Sequence, residues 1–156
     1  MKHFESEMGG RVIVIRLDRG ELVLESIERT IRELNLTDGT IVCGYGTLSR
    51  CNLHMVETHD VFPAVNSFPK WEEKPLELIS MSGVIANGVP HIHTVIAEGM
   101  NAYAGHMEHG CTTSYLTEIV IYEHKNLKLV RKETVWGEGG PTDPNAQQGP
   151  EALERA

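Results

Sequence analysis

No apolar run in this 156-residue sequence approaches the roughly 20 residues a helix needs to cross a bilayer, so no membrane span is expected. The opening MKHFESEMGG carries charge where a secretory leader would be apolar, and no export is expected either. Cysteine is scarce: Cys43, Cys51 and Cys111 make an odd count without any C-x-x-C spacing. That argues against a disulfide framework and for buried free thiols in a reducing compartment, so a cytoplasmic location is expected.

Positive charge is also short. Fourteen Lys and Arg stand against 22 Asp and Glu, for a formal net charge of −8. Proteins that bind nucleic acid through their own surface normally show a basic footprint, because phosphate contacts supply most of the affinity. The one local exception is residues 124–132, where Lys125, Lys128, Arg131 and Lys132 are interleaved with Leu127, Leu129 and Val130. This alternation reads as a strand with one solvated basic face. Nucleic-acid binding by the chain alone is therefore not expected. Internal repeats are absent. Gly44-Tyr45-Gly46 is only a fragment of G-x-G-x-x-G, with no helix clearly following, so it reads as close backbone packing. Ser80, Ser82 and Ser114 lack a nucleophile-elbow setting, which argues against a serine hydrolase.

What is present is the ordinary composition of one globular domain, with 40% hydrophobic and 23% charged residues. Residues 11–17 (RVIVIRL) form a β-branched run and read as a strand. From Glu21, apolar residues recur at Leu24, Ile27, Ile31 and Leu34, the spacing of one helical face. Strands are expected over 40–45, 51–57, 76–85 (with a bulge at Ser82-Gly83), 91–97, 114–123 and 127–133. Residues 59–74, with Pro63 and Pro69, read as a loop that Trp71 pins at one end, and 98–110 as a glycine-rich connection. Asn87-Gly88 is a hairpin turn signal, and the last two strands are expected to pair across Lys125-Asn126. The whole is an α+β domain over residues 1–136, mostly antiparallel with one principal helix. Residues 137–156, rich in Gly, Pro and polar side chains, are expected to form a flexible tail.

The informative segment is GVPHIHTVIAEGMNAYAGHMEHG, residues 88–110. His91 and His93 are two apart on a strand, so both imidazoles point to one face, with Cα atoms roughly 6 to 7 Å apart. His106 follows thirteen residues after His93, enough for a hairpin to bring it back alongside, and Gly105 before it allows close backbone approach. Three neutral imidazoles with an open fourth position are a recurring zinc arrangement, though copper, nickel, cobalt or iron would also suit them. On the residues alone, surface or core histidines remain an equal alternative.

The PHIH at 90–93, Gly105-His106, Gly44-Tyr45-Gly46 and TEIVI at 117–121 together resemble the plant-and-prokaryote-conserved (PPC) domain, over about residues 12–133. That domain accompanies AT-hooks in plants and stands alone in bacteria and archaea. The resemblance implies a compact α+β domain with an antiparallel sheet that assembles as a homotrimer, and a divalent metal, Zn2+ first, on His91, His93 and His106. The basic Arg-Gly-Arg-Pro hook of plant members is missing, so the family's DNA-binding label rests on a part this sequence lacks.

Three roles follow. In a metal-dependent hydrolase or lyase acting on a small molecule, a general acid or base would stand near the ion. Its candidates are Glu98, Tyr103, Glu108 and His109, with Glu108 or His109 also placed to orient a ligand imidazole. A regulatory module would instead hold a metal or small ligand at subunit boundaries and signal to a protein partner. A structural site would need a fourth protein ligand, for which Cys111, His109 or a neighbouring subunit are the candidates. Glu118, alternating with core positions, is expected to pair with a cation across an interface or face solvent.

Overall fold

The computed structural model describes residues 9–59, 63–136 and 147–156. β1 (Val12–Asp18) leads into α1 (Val23–Glu33), then β2 (Gly39–Val56), the two-residue β3 (Asn66–Ser67), β4 (Lys70–Ala86), β5 (Val89–Glu98), β6 (Asn101–Met107) and β7 (Thr112–Glu123). β8 (Leu129–Trp136) and β9 (Gln147–Arg155) follow. The main sheet runs β1-β7-β2-β4-β5-β6, with β3 on β2, and every pairing in it is antiparallel. The α+β expectation with one principal helix holds.

The helix forms where the spacing predicts, and its Val23, Leu24, Ile27 and Ile31 are buried against the sheet. The backbone turns out of it at Asn35, whose φ of 52° is the left-handed conformation that asparagine tolerates at a helix end. Cys51 and Cys111 lie in the core with Sγ atoms 3.6 Å apart, as the buried-thiol reading expects. Their hydrogen bond, together with burial, pushes the Cys51 thiol pKa far up, so it keeps its proton.

β2 organises the sheet. Its 18 residues merge the two strands expected over 40–45 and 51–57. The register shifts between Leu48 and Arg50 against both β4 and β7, and a bulge there bends the strand. Before the bend β2 pairs with β7 and β4; after it, Arg50, Cys51 and Asn52 stay on β4, and Leu53 and His54 pair with Met107 and His106 of β6. The β2–β6 pairing closes β2, β4, β5 and β6 into a ring. Gly46, at φ 149°, allows the contact with β7, where a Cβ would sit 2.3 Å from the Leu116 carbonyl oxygen. The Gly44-Tyr45-Gly46 segment is thus a packing element.

Five local expectations are corrected. Of the stretch 59–74, read as a loop, Asn66–Ser67 form β3 on β2 and residues 70–74 already belong to β4, paired with β2. The last strand does not pair with β7, because β1 and β2 already occupy both edges of β7; β8 pairs with β9 instead. Residues 147–155, read as tail, are that partner strand, and Leu153 packs with Ala86, Leu127 and Leu129. The stretch 137–146 lies outside the described residues. The bulge in β4 falls between Leu78 and Ser80 and not at Ser82-Gly83. The 98–110 connection is mostly strand, β6, turning from β5 at Gly99-Met100. The Asn87-Gly88 turn forms as read, with both residues at positive φ.

Candidate metal centre

β5 alternates cleanly. Ile92, Thr94 and Ile96 point into the core, which leaves His91 and His93 on the opposite face. His93 is the direct cross-strand partner of His106, and His106 of His54, so one row across β5, β6 and β2 carries three imidazoles on the same face. His91 completes the group from one alternate position along β5. Gly105 permits this. A Cβ there would lie 2.8 Å from the His54 carbonyl oxygen, 3.2 Å from Met55 Cγ and 3.3 Å from Leu53 Cβ, so only glycine lets β6 approach β2 this closely.

His91, His93 and His106 can each present a ring nitrogen with all three atoms within 4.8 Å of one another. The Nε2 atoms of His91 and His93 are 3.2 Å apart. Two donors about 2.0–2.1 Å from a tetrahedral ion lie about 3.3 Å from each other, so this is the separation of two ligands on one polyhedron edge. The His106 ring stands edge-on to His91, with centroids 4.6 Å apart. Burial on the pocket side, with repulsion from His106, Arg131, His93 and His54, pulls the His91 pKa down to about 4. Burial also lowers His106, against the opposing pull of Glu108. Both imidazoles are therefore neutral near pH 7, the form that binds a metal ion.

The histidines form one end of a cavity of about 770 Å³ lined also by His54, Met55, Val56, Pro63 and Ala104. Its walls are mainly apolar, and its size is that of a small-molecule site.

Of the other residues singled out from the sequence, Glu108 lies beside this group, with Oε1 3.1 Å from His54 Nδ1. His109 turns to α1 and meets Glu28 at 3.0 Å. Tyr103 packs on Trp71 at 4.8 Å between centroids, and Trp71 itself packs on the core. Glu98 pairs with Lys74 at 2.9 Å. Cys111 is a core thiol, and Glu118 accepts a 2.6 Å hydrogen bond from the Tyr45 hydroxyl. The sequence reading missed His54. Nothing local marks it in CNLHMV; the only signal is that it falls on the same alternation as a strand end facing histidines far along the chain.

The basic stretch is largely engaged internally. Lys128 meets Asp38 at 3.3 Å, Lys132 meets Glu154 at 3.1 Å, and Arg131 Nη2 donates to the Val84 carbonyl at 3.4 Å. No helix among the described residues is long and apolar enough to cross a membrane.

Comparison with known proteins places the fold. A hypothetical protein from Salmonella enterica superposes with a TM-score of 0.71 at 19% identity, covering 98% of each chain. A metal-containing protein from Archaeoglobus fulgidus gives 0.65 at 23% identity, over 80% of this chain and 86% of its own. Among curated sequences, the bifunctional protein GlmU of a Synechococcus strain is 25% identical over 124 residues. Those residues are 78% of this chain but only 18% of GlmU, so the chain spans under a fifth of the curated relative it matches. The model of the Plants and Prokaryotes Conserved domain matches residues 4–125, and the chain belongs to that family.

Proposed function

We propose that this chain is a metal-binding PPC protein in which His91, His93 and His106 hold a divalent transition metal, zinc first. The convergence of three imidazoles on one face carries the reading, and the metal content of the Archaeoglobus relative supports it. Such an ion, when bound, supplies Lewis-acid chemistry toward an oxygen-bearing small molecule. Met55, Val56, Pro63 and Ala104 give that molecule apolar walls and limit its contact with water. Metal-assisted hydrolysis or lyase chemistry is the activity this arrangement serves best. The protein would act as a homotrimer in the cytoplasm.

DNA binding through the chain itself is the weaker reading, given the charge of −8 and the ion-paired Lys128 and Lys132. A regulatory contact with a protein partner is the alternative if the site proves catalytically silent.

The test is elemental mass spectrometry on protein purified without an affinity tag, beside a His91→Ala, His93→Ala variant. The expected result is bound zinc that the variant loses. Protein that takes up no zinc, even after dialysis against it, overturns the reading.

A further inference from the structure

We propose a second divalent-cation site beside the first, formed by His54, Glu108 and His106. It goes beyond the three-histidine reading and shares one residue with it.

The residues come together through the short pairing of β2 with β6. His54 and His106 are opposite each other there, and the Glu108 amide donates to the Asn52 carbonyl one step further along the same seam. Alternation then puts all three side chains on one face. Their donor atoms lie within 4.8 Å of one another. His54 Nδ1 and Glu108 Oε1 are 3.1 Å apart, close to the edge of about 3.3 Å expected for two ligands on a tetrahedral ion. The His54 and His106 rings are 5.2 Å apart and inclined at 47°, so they neither stack flat nor exclude a shared ion at their edges.

Two imidazoles and one carboxylate are a zinc donor set of the open, reactive kind. The carboxylate also distinguishes this group from the first, whose three ligands are all imidazoles: Glu108 offsets half the charge of a dication. His106 can serve both groups because an imidazole carries nitrogens on two different edges. When both sites fill, the second ion takes the place of the proton on the remaining His106 nitrogen, and that proton leaves to solvent. His54 and His106 line the same cavity as His91 and His93, and Glu108 lines a second pocket with Asn52, Phe68 and His109, so the ion would border both.

The alternative is a plain His54–Glu108 ion pair that holds β6 against β2. Zinc titration of the tag-free chain, read by equilibrium dialysis with elemental analysis, separates the two. Wild type is compared with His91→Ala, His93→Ala and with His54→Asn, Glu108→Gln, all checked for folding by circular dichroism in EDTA. Glu108→Gln alone, which keeps the side-chain volume, replaces the pair if the double variant does not fold. Two ions in wild type and one in each variant is the expected result. One ion, lost only with His91 and His93, overturns the second site and leaves the first. One ion, lost only with His54 and Glu108, upholds the second site and overturns the three-histidine reading. Cobalt in place of zinc gives an independent record, because the two donor sets produce different visible spectra.

Discussion

His93 on β5 and His106 on β6 are direct cross-strand partners, so a slip of one residue between these strands would turn one imidazole to the opposite face of the sheet. The centre depends on register as much as on residue identity. The tight Gly99-Met100 turn fixes that register from one end, and the approach of Gly105 to β2 fixes it from the other.

Gly105→Ala is the sharpest probe of that second constraint. The added Cβ would meet the His54 carbonyl oxygen at 2.8 Å, and backbone cannot swing aside as a side chain can. A loss of about 1–3 kcal/mol in urea denaturation is expected, the range for overpacking a close contact. Zinc affinity should weaken with it, since β6 carries His106. Unchanged stability and affinity would show that β6 can move away at no cost.

The metal-free protein should lose stability on mild acidification through His91. Its pKa is about 4 when folded and about 6.5 in an unfolded chain, so the unfolded chain takes up the proton first. The contribution is complete above about pH 6.5, declines as pH falls through that window, and levels off below about pH 4. Urea denaturation in EDTA at about pH 7.5 and about pH 5 should show a smaller drop for His91→Gln than for wild type. Equal drops would assign the slope to other groups.

Helix α1 is held by its apolar face, with Ile27 fully buried beneath it. Ile27→Ala should cost about 2–5 kcal/mol, the range for removing a large side chain from a packed core. The histidines lie on the other face of the sheet, so zinc stoichiometry should survive while the melting temperature falls. Loss of both together would mean that the helix shapes the site directly.

Self-association is testable from the opposite face. By register, Val12, Val14 and Tyr45 share the side of the sheet away from the helix, and Val14 is 66% exposed. If the chain self-associates as proposed, this apolar face is where a second copy would cover it. Light scattering after gel filtration should give about three times the 17.4 kDa chain mass, and Val14→Glu should shift it toward the monomer. A wild-type monomer would remove the trimer.

The parts of this fold visible in the sequence are those whose physics is local. The 3/4 spacing of Leu24, Ile27 and Ile31 marks α1, and Asn87-Gly88 marks the turn after β4. His91 and His93 were readable because two residues along a strand is one repeat of its pleat, and His106 because a hairpin length separates it from them. His54 was not readable. It and Glu108 stand 54 positions apart, and only the bend in β2 brings them together. The pairing of β8 failed for a related reason: nothing in residues 127–133 reveals that both edges of β7 are already taken. Residues 147–155 looked like tail because Leu153 is one of the few apolar residues there, yet it finds a small hydrophobic cluster.

The ring of β2, β4, β5 and β6 is closed between β6 and β2 by two residue pairs, Leu53 with Met107 and His54 with His106, and by the Glu108 amide on the Asn52 carbonyl just beyond them. Six pairs hold β6 to β5. The barrel is thus fastened by a narrow latch, and the chain joined there is far apart in sequence, so closing it is among the entropically costlier steps of folding. A latch of this kind can spring open while the helix-covered core stays intact. An ion gripped by His106 together with His54 would rivet it. Occupancy would then be recorded less as a change of shape than as a lengthened lifetime of the closed barrel, visible as slower amide exchange along β6.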